Sequence, residues 1–348
     1  MKNTFKILLL VNLFLAVPSS LITALPRPNN VTSPQVEAVM LEPTSGMSRI
    51  TATETYRPLS LNPQQTAKDD RIRLGAEVVN VTISVTDALG RFVTGLDKAQ
   101  FEVYDDKVKQ QIVHFTDEDA PVSIGIVYDV SGSMKERIRR SIRALRIFME
   151  TSHGDDDFFL MAFNDRANLA EDFTTSADRI IGRLMFVNPR GSTALYDAAY
   201  MSVEKVQQGR HSKRALLIIS DGQDNHSRYT YKELRNRIKE ADVQIYSIGI
   251  TDPGNDSLSG YGRSVLEEIT RATGGRAFFP NAYNEPELVE ICSRIALELR
   301  RQYSIGFYPT DLASDARWHK LQVKIKPPRG VGRLSLSYKD GYQSFNKK

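Results

Sequence analysis

The chain has 348 residues, 41% hydrophobic and 25% charged, a globular composition that argues against disorder or a fibrous repeat and suggests about two domains. Its 46 basic and 42 acidic residues leave +4, and only +2 once Lys2 and Lys6 are set aside, too little for a nucleic-acid binder with no basic block to help. The lone cysteine, Cys292, excludes an intramolecular disulfide and any cysteine-built zinc site.

Lys2 and Lys6 precede an apolar run from Ile7 to Val17, then Pro18, Ser19, Ser20 and small residues ending at Ala24. This is the order of a secretory signal peptide over 1–24, with cleavage expected after Ala24. The run is short for a membrane span, which needs roughly 20 apolar residues, so an uncleaved anchor is the alternative. Residues 25–70 hold six of the fifteen prolines and one aromatic, Tyr56, and read as a flexible linker. Val79, Val81, Ile83 and Val85 then alternate with polar residues, predicting a half-buried strand. Phe101–Tyr104, the turn Asp105-Asp106-Lys107 and Gln111–Phe115 predict a hairpin within an N-terminal β segment, 71–118.

From Pro121 strands and helices alternate. The run Val122–Tyr128 suits a strand covered on both faces. Met134, Ile138, Ile142, Leu145 and Met149 mark one face of a helix. Strands are expected at Phe158–Phe163, Ala215–Ser220, Val243–Ile250 and Arg276–Phe279. Helices are expected at Ile180–Met185, Ala194–Gln208, Tyr231–Ala241, Arg263–Thr273 and Glu285–Arg301. The fold class is therefore α/β, a doubly wound and mostly parallel sheet over 119–301. It is inserted before a C-terminal β segment, 302–348, with strands at Tyr303–Tyr308, Leu321–Ile325 and Leu334–Tyr338. Neither β segment has enough strands to stand alone, so the two are expected to pack together.

The first α/β strand ends in Asp129-Val130-Ser131-Gly132-Ser133-Met134, an acid and two hydroxyls turning into a helix. Ligands bind in such crevices, outside the carboxyl ends of strands. Ser220-Asp221-Gly222 closes another strand with a carboxylate and a turn glycine, and Arg190-Gly191-Ser192-Thr193 presents a hydroxyl just before a helix. These are oxygen donors without His or Cys, which suits a hard cation, Mg²⁺, Mn²⁺ or Ca²⁺.

Asp129-x-Ser131-x-Ser133, Thr193 and Asp221-Gly222 resemble the metal-ion-dependent adhesion site of von Willebrand factor type A domains. The resemblance covers about residues 121–300. It implies that Ser131, Ser133 and Thr193 touch the metal directly, and that Asp129 and Asp221 act mostly through water. Val81–Asp87, Phe101–Tyr104, His114-Phe115, Tyr303–Pro309 and Asp340-Gly341-Tyr342 extend the likeness to exported bacterial proteins called VWFA-related, described from Acidobacteria.

The remaining signals are weaker. His114, His153, His211, His226 and His319 show no paired ligand spacing and read as ordinary surface or core residues. No nucleophile elbow, Walker-type loop or dinucleotide fingerprint supports an enzyme. Cys292 reads as a small buried hydrophobe. Lys135, Arg137, Arg139 and Arg140 read as a solvated helix face, or as attraction for an acidic ligand. Thr251–Gly262 reads as a loop near the same rim. The expectation is a secreted or periplasmic, non-enzymatic binding protein with no membrane span in the mature chain. Its Mg²⁺ (or Mn²⁺ or Ca²⁺) captures an Asp or Glu carboxylate of a protein partner. The alternative is a structural or scaffold component of the cell envelope whose metal site only stabilises the fold.

Overall fold

The computed structural model describes residues 78–135, 137–250, 256–281, 284–309 and 317–344, all within the unit Asp70–Lys348. The expected signal peptide 1–24, the linker 25–70 and residues 71–77 lie outside the described residues, as does 251–255 of the expected rim loop.

Strand β1 (Val79–Thr86) buries Val79, Val81, Ile83 and Val85 on one face. Ser84 and Thr86, on the other face, are buried too. The second half of β1 is therefore covered on both sides rather than half-buried. Strands β2 (Phe101–Asp105) and β3 (Val108–Gln110) form the hairpin around Asp106 and Lys107. The expected third piece of that hairpin, β4 (Ile112–Thr116), leaves it after Gln111 and pairs instead with β11 in another sheet.

The α/β portion follows in order. It runs β5 (Val122–Asp129), α1 (Ile138–Thr151), β6 (Asp157–Phe163), β7 (Ala167–Thr174), α2 (Ala177–Met185) and α3 (Leu195–Val206). It continues with β8 (Lys213–Ser220), α4 (Tyr231–Glu240), β9 (Gln244–Gly249), α5 (Asp256–Ala272), β10 (Ala277–Phe278) and α6 (Glu285–Arg300). These strands make one sheet in the order β10-β9-β8-β5-β6-β7, parallel except where β7 runs antiparallel to β6. Every residue of β5 and β6 is buried, as expected for central strands covered on both faces. Ile124, Ile126 and Tyr128 face a core built with α1, α2 and α6. Val127, Phe159 and Leu216 face a second core with α3, α4 and α5. The sheet is thus doubly wound.

Two helix starts differ from the sequence pattern. Met134 lies in a short 3-10 turn, Gly132–Met134, and α1 begins only at Ile138. Helix α5 begins at Asp256, inside the expected rim loop. Gly262 there serves close packing rather than looping. A Cβ on Gly222 would sit 2.6 Å from the Gly262 carbonyl oxygen, so the two backbones touch directly.

The C-terminal strands are β11 (Gln302–Phe307), β12 (Trp318–Ile325), β13 (Ser335–Ser337) and β14 (Gly341–Gln343). They complete two four-stranded sheets, β13-β1-β11-β4 and β14-β12-β2-β3. Residues on either side of the α/β insert therefore pair: Val81 faces Ile305 in β1–β11 and Val103 faces Val323 in β2–β12. The two sheets share one core that includes Ile83, Phe101, Val103, Tyr303, Phe307 and Tyr342. Phe101 packs against the Tyr303 ring at 5.0 Å between centroids. Among the described residues, no helix is long and apolar enough to cross a membrane.

Candidate metal centre

Strand β5 sits between β8 and β6, where the chain winds away from the sheet in opposite directions and leaves a crevice beyond the strand ends. Three segments meet there. At the end of β5, the backbone N–H of Val130 bonds the Phe163 carbonyl of β6 at 2.8 Å. The chain then turns so that Ser131 Oγ and Ser133 Oγ lie 3.1 Å apart. Ser131 is buried, whereas Gly132 and Ser133 are exposed. The crevice therefore has a closed floor and an open mouth.

The 190–193 loop is laced onto this turn. The Arg190 N–H donates to the Val130 carbonyl at 3.1 Å, and the Gly132 N–H to the Gly191 carbonyl at 3.2 Å. Gly191 has a φ of +82°, and a Cβ there would meet the Asp165 carboxylate at 2.5 Å. A left-handed residue without a side chain is required at that point. Asp165 in turn accepts the Ser192 N–H at 2.6 Å. Thr193 is buried, its N–H donating to Asn225 Oδ1 at 2.8 Å and its carbonyl accepting the Asn225 N–H at 3.0 Å.

At the end of β8, Ser220 Oγ donates to Asp129 Oδ2 at 2.6 Å and accepts the Gly222 N–H at 3.1 Å. Gly222, with φ +80°, turns the chain so that Asp221 follows Ser220 at the rim. Asp129, Ser131, Ser133, Thr193 and Asp221 thus occupy three adjoining segments at one end of the sheet.

The charge pattern is lopsided. Asp129 is fully buried, and burial pushes its carboxyl from 3.8 up to about 6, with the nearby Asp221 charge adding to the rise. Hydrogen bonds from Ser131 and Ser220 work against it. Desolvation disfavours the ionised form, and a cation in the crevice would reverse the balance. The 3.1 Å between the serine hydroxyls also fits adjacent ligands on one ion, since bonds of roughly 2.1 Å at right angles span about 3.0 Å.

Several participants carry no signal in the sequence pattern. Arg137 does not lie on a solvated helix face: its side chain is 11% exposed, 3.8 Å from Asp221, and donates to the Ile250 carbonyl at 3.0 Å. Lys135 and Arg139 are exposed. Asp224 accepts the Tyr196 N–H at 3.0 Å and so fixes the first turn of α3 beside Thr193. Asn225, Asp224 and Asp165 hold backbone groups 27 to 32 residues away, a separation that no short motif displays. Ser220 has a visible cue in its place beside Asp221, and Arg137 in the basic cluster after Ser133. Cys292 is buried and its thiol pushed up to about 12 by desolvation, an inert core residue.

Residues 124–223, from β5 through the Gly222 turn, match the family model of the von Willebrand factor type A domain. An uncharacterized protein of Borreliella burgdorferi is 26% identical over 198 residues, which is 50% of this chain and 57% of that protein. The chain thus spans little more than half the length of that relative. Among solved structures, BatB of Bacteroides thetaiotaomicron is 16% identical over 51% of this chain and 98% of its own, with a TM-score of 0.41. The vWF domain of the type V pili tip protein Mfa5 from Porphyromonas gingivalis is 13% identical over 52% and 97%, with a TM-score of 0.42. A von Willebrand factor type A protein of Catenulispora acidiphila is 12% identical over 76% and 73%, with a TM-score of 0.45.

Proposed function

We propose that the von Willebrand factor type A domain of this chain makes it an exported, non-enzymatic binding protein that captures an acidic side chain of a partner through a divalent cation. The observation that carries this reading is the convergence at the end of β5: two hydroxyls 3.1 Å apart above a buried carboxylate, in a crevice open at Ser133. Ser131, Ser133 and Thr193 would hold the ion directly, with Asp129 and Asp221 behind them. The resident ion is Mg²⁺, with Mn²⁺ or Ca²⁺ as the other hard cations the oxygen donors suit. Neutral direct ligands leave the ion net positive towards solvent, so a Glu or Asp of the partner completes its shell.

Surroundings of the crevice support protein binding. Met185 and Phe186, which lead from α2 into the 190–193 loop, are 69% and 91% exposed. Exposed apolar groups of this size, a few residues before that loop in sequence, fit a protein interface. Export rests on the leader pattern at 1–24.

The test is capture of an envelope partner by immobilised protein in Mg²⁺ and in EDTA, with Thr193→Ala alongside. Partner retained in Mg²⁺, released by EDTA and lost in the variant supports the reading. Equal capture under all three conditions ends it. If EDTA lowers only the melting temperature, the metal is a fold stabiliser in a scaffold component.

A further inference from the structure

At the β2–β3 turn a second group of carboxylate and imidazole groups comes together, outside the crevice. Asp106 and Lys107 both have positive φ, 44° and 73°, as a two-residue hairpin turn of the primed type requires. That turn sets Asp105, buried at the end of β2, next to Asp106 at the tip. Strand β12 runs antiparallel beside β2 and brings His319 to the same corner. His319 Nδ1 lies 3.0 Å from Asp105 Oδ1 and 3.5 Å from Asp106 Oδ2. One donor atom from each of the three residues lies within 4.8 Å of the others.

Each acid is oriented by its second oxygen. The Tyr342 hydroxyl donates to Asp105 Oδ2 at 2.8 Å, and the Lys320 N–H donates to Asp106 Oδ1 at 3.0 Å. His319 is 1% exposed, its ring stacked on Tyr342 at 4.9 Å. Its Nε2 has no hydrogen-bond partner among the described residues. One buried imidazole facing one carboxylate would be an ordinary pair. Here a single Nδ1 faces two carboxylates, and the Arg317 guanidinium also lies 3.5 Å from Asp106 Oδ2, a cation already drawn to that oxygen. An ion with bonds of roughly 2.0–2.2 Å places neighbouring ligand atoms about 3.0 Å apart in octahedral and about 3.4 Å apart in tetrahedral geometry. The observed 3.0 and 3.5 Å bracket the tetrahedral edge, so the three residues stand close to ligand spacing without an ion.

We infer that Asp105, Asp106 and His319 form a divalent-cation site of their own, separate from the crevice. The mixed nitrogen and oxygen donors suit a borderline cation of the Zn²⁺ class, whereas all-oxygen sets suit Mg²⁺ and Ca²⁺. Three protein ligands leave a further position open, and the half-exposed Asp106 turns it to solvent. The bound ion would tie the N-terminal turn to β12 across 214 residues of sequence, clamping the two halves of the split β layer.

The test uses the full chain carrying Asp129→Ala, which silences the crevice, freed of metal and titrated with Zn²⁺ by calorimetry. One equivalent should bind and raise the melting temperature. Adding Asp106→Asn should weaken that binding at least tenfold and abolish the rise. Asparagine keeps the acceptor for the Lys320 N–H and tolerates positive φ, so the turn survives. His319→Gln should abolish binding, and circular dichroism reports whether that variant stays folded. Absence of Zn²⁺ binding to the Asp129→Ala protein, or equal binding by its Asp106→Asn derivative, overturns the inference.

Discussion

Replacing Asp129 with Asn should make the metal-free protein more stable at neutral pH, although it removes a residue of the proposed metal centre. Burial raises the Asp129 pKa from 3.8 to about 6. Ionising this carboxyl within the fold at pH 7 therefore costs about 3 kcal/mol relative to the unfolded chain, at 1.36 kcal/mol per pKa unit. Asparagine escapes that cost and keeps an acceptor for the Ser131 N–H, which lies at 2.9 Å. Its amide can donate to Ser220 Oγ, at the price of redirecting the Ser220 hydroxyl proton and roughly 1 kcal/mol for that hydrogen bond. A net gain of about 2 kcal/mol corresponds to a rise of roughly 4–8 °C for a domain of this size. The sign fixes the pH window. The group's folded pKa is raised, so its contribution is intact below about 3.8 and is lost as pH climbs through about 6. Calorimetric melts in EDTA should therefore lie within a few degrees near pH 4, the variant no higher than wild type, and diverge by pH 7.5, with the variant melting higher. Mg²⁺ should close the gap by stabilising the wild type alone. A variant that melts lower than wild type in EDTA at pH 7.5, or that gains as much from Mg²⁺, refutes the reasoning.

Thr193→Ala should leave the melting temperature in EDTA nearly unchanged, because the contacts to Asn225 run through the Thr193 backbone, yet lose the Mg²⁺-dependent rise. Gly191→Ala forces a side chain into a left-handed position 2.5 Å from the Asp165 carboxylate, strain of about 1–3 kcal/mol. It should weaken Mg²⁺ binding at least tenfold in a calorimetric titration. Ending the chain after Arg301 strips β1 of β11 and β2 of β12. Limited proteolysis should then cut within Val79–Phe115, and unchanged protection there would mean that the N-terminal β segment folds independently.

Strands β5, β6, β8 and β9 were legible because central parallel strands are apolar throughout, and their runs carry that mark. Strand β7 was not. It is an edge strand whose one buried residue, Glu171, is an acid held by Arg179 and Arg183, so its pattern reads as polar loop. The departure of β4 from the hairpin is likewise invisible locally, since its partner Ile305 lies 190 residues away from Phe115. The three candidate metal segments could be read because each is short and ends a strand or opens a helix. The residues that hold them could not, because Asn225, Asp224 and Asp165 act on backbone groups of distant loops. His319 reads as ordinary for the same reason, since its partner Asp105 lies 214 residues earlier.

Whether a hard cation sits at the end of β5 decides the proposed function. The most direct measurement is anomalous diffraction from crystals of the protein grown with Mn²⁺, which scatters strongly and stands in for Mg²⁺. An anomalous peak is expected in the crevice, at roughly 2.1–2.2 Å from Ser131 Oγ, Ser133 Oγ and the Thr193 hydroxyl, the range of a hard cation bound to oxygen. The same crystals of Thr193→Ala should show a weaker peak there or none. Mn²⁺ present in the crystal with no density between these three residues would contradict it.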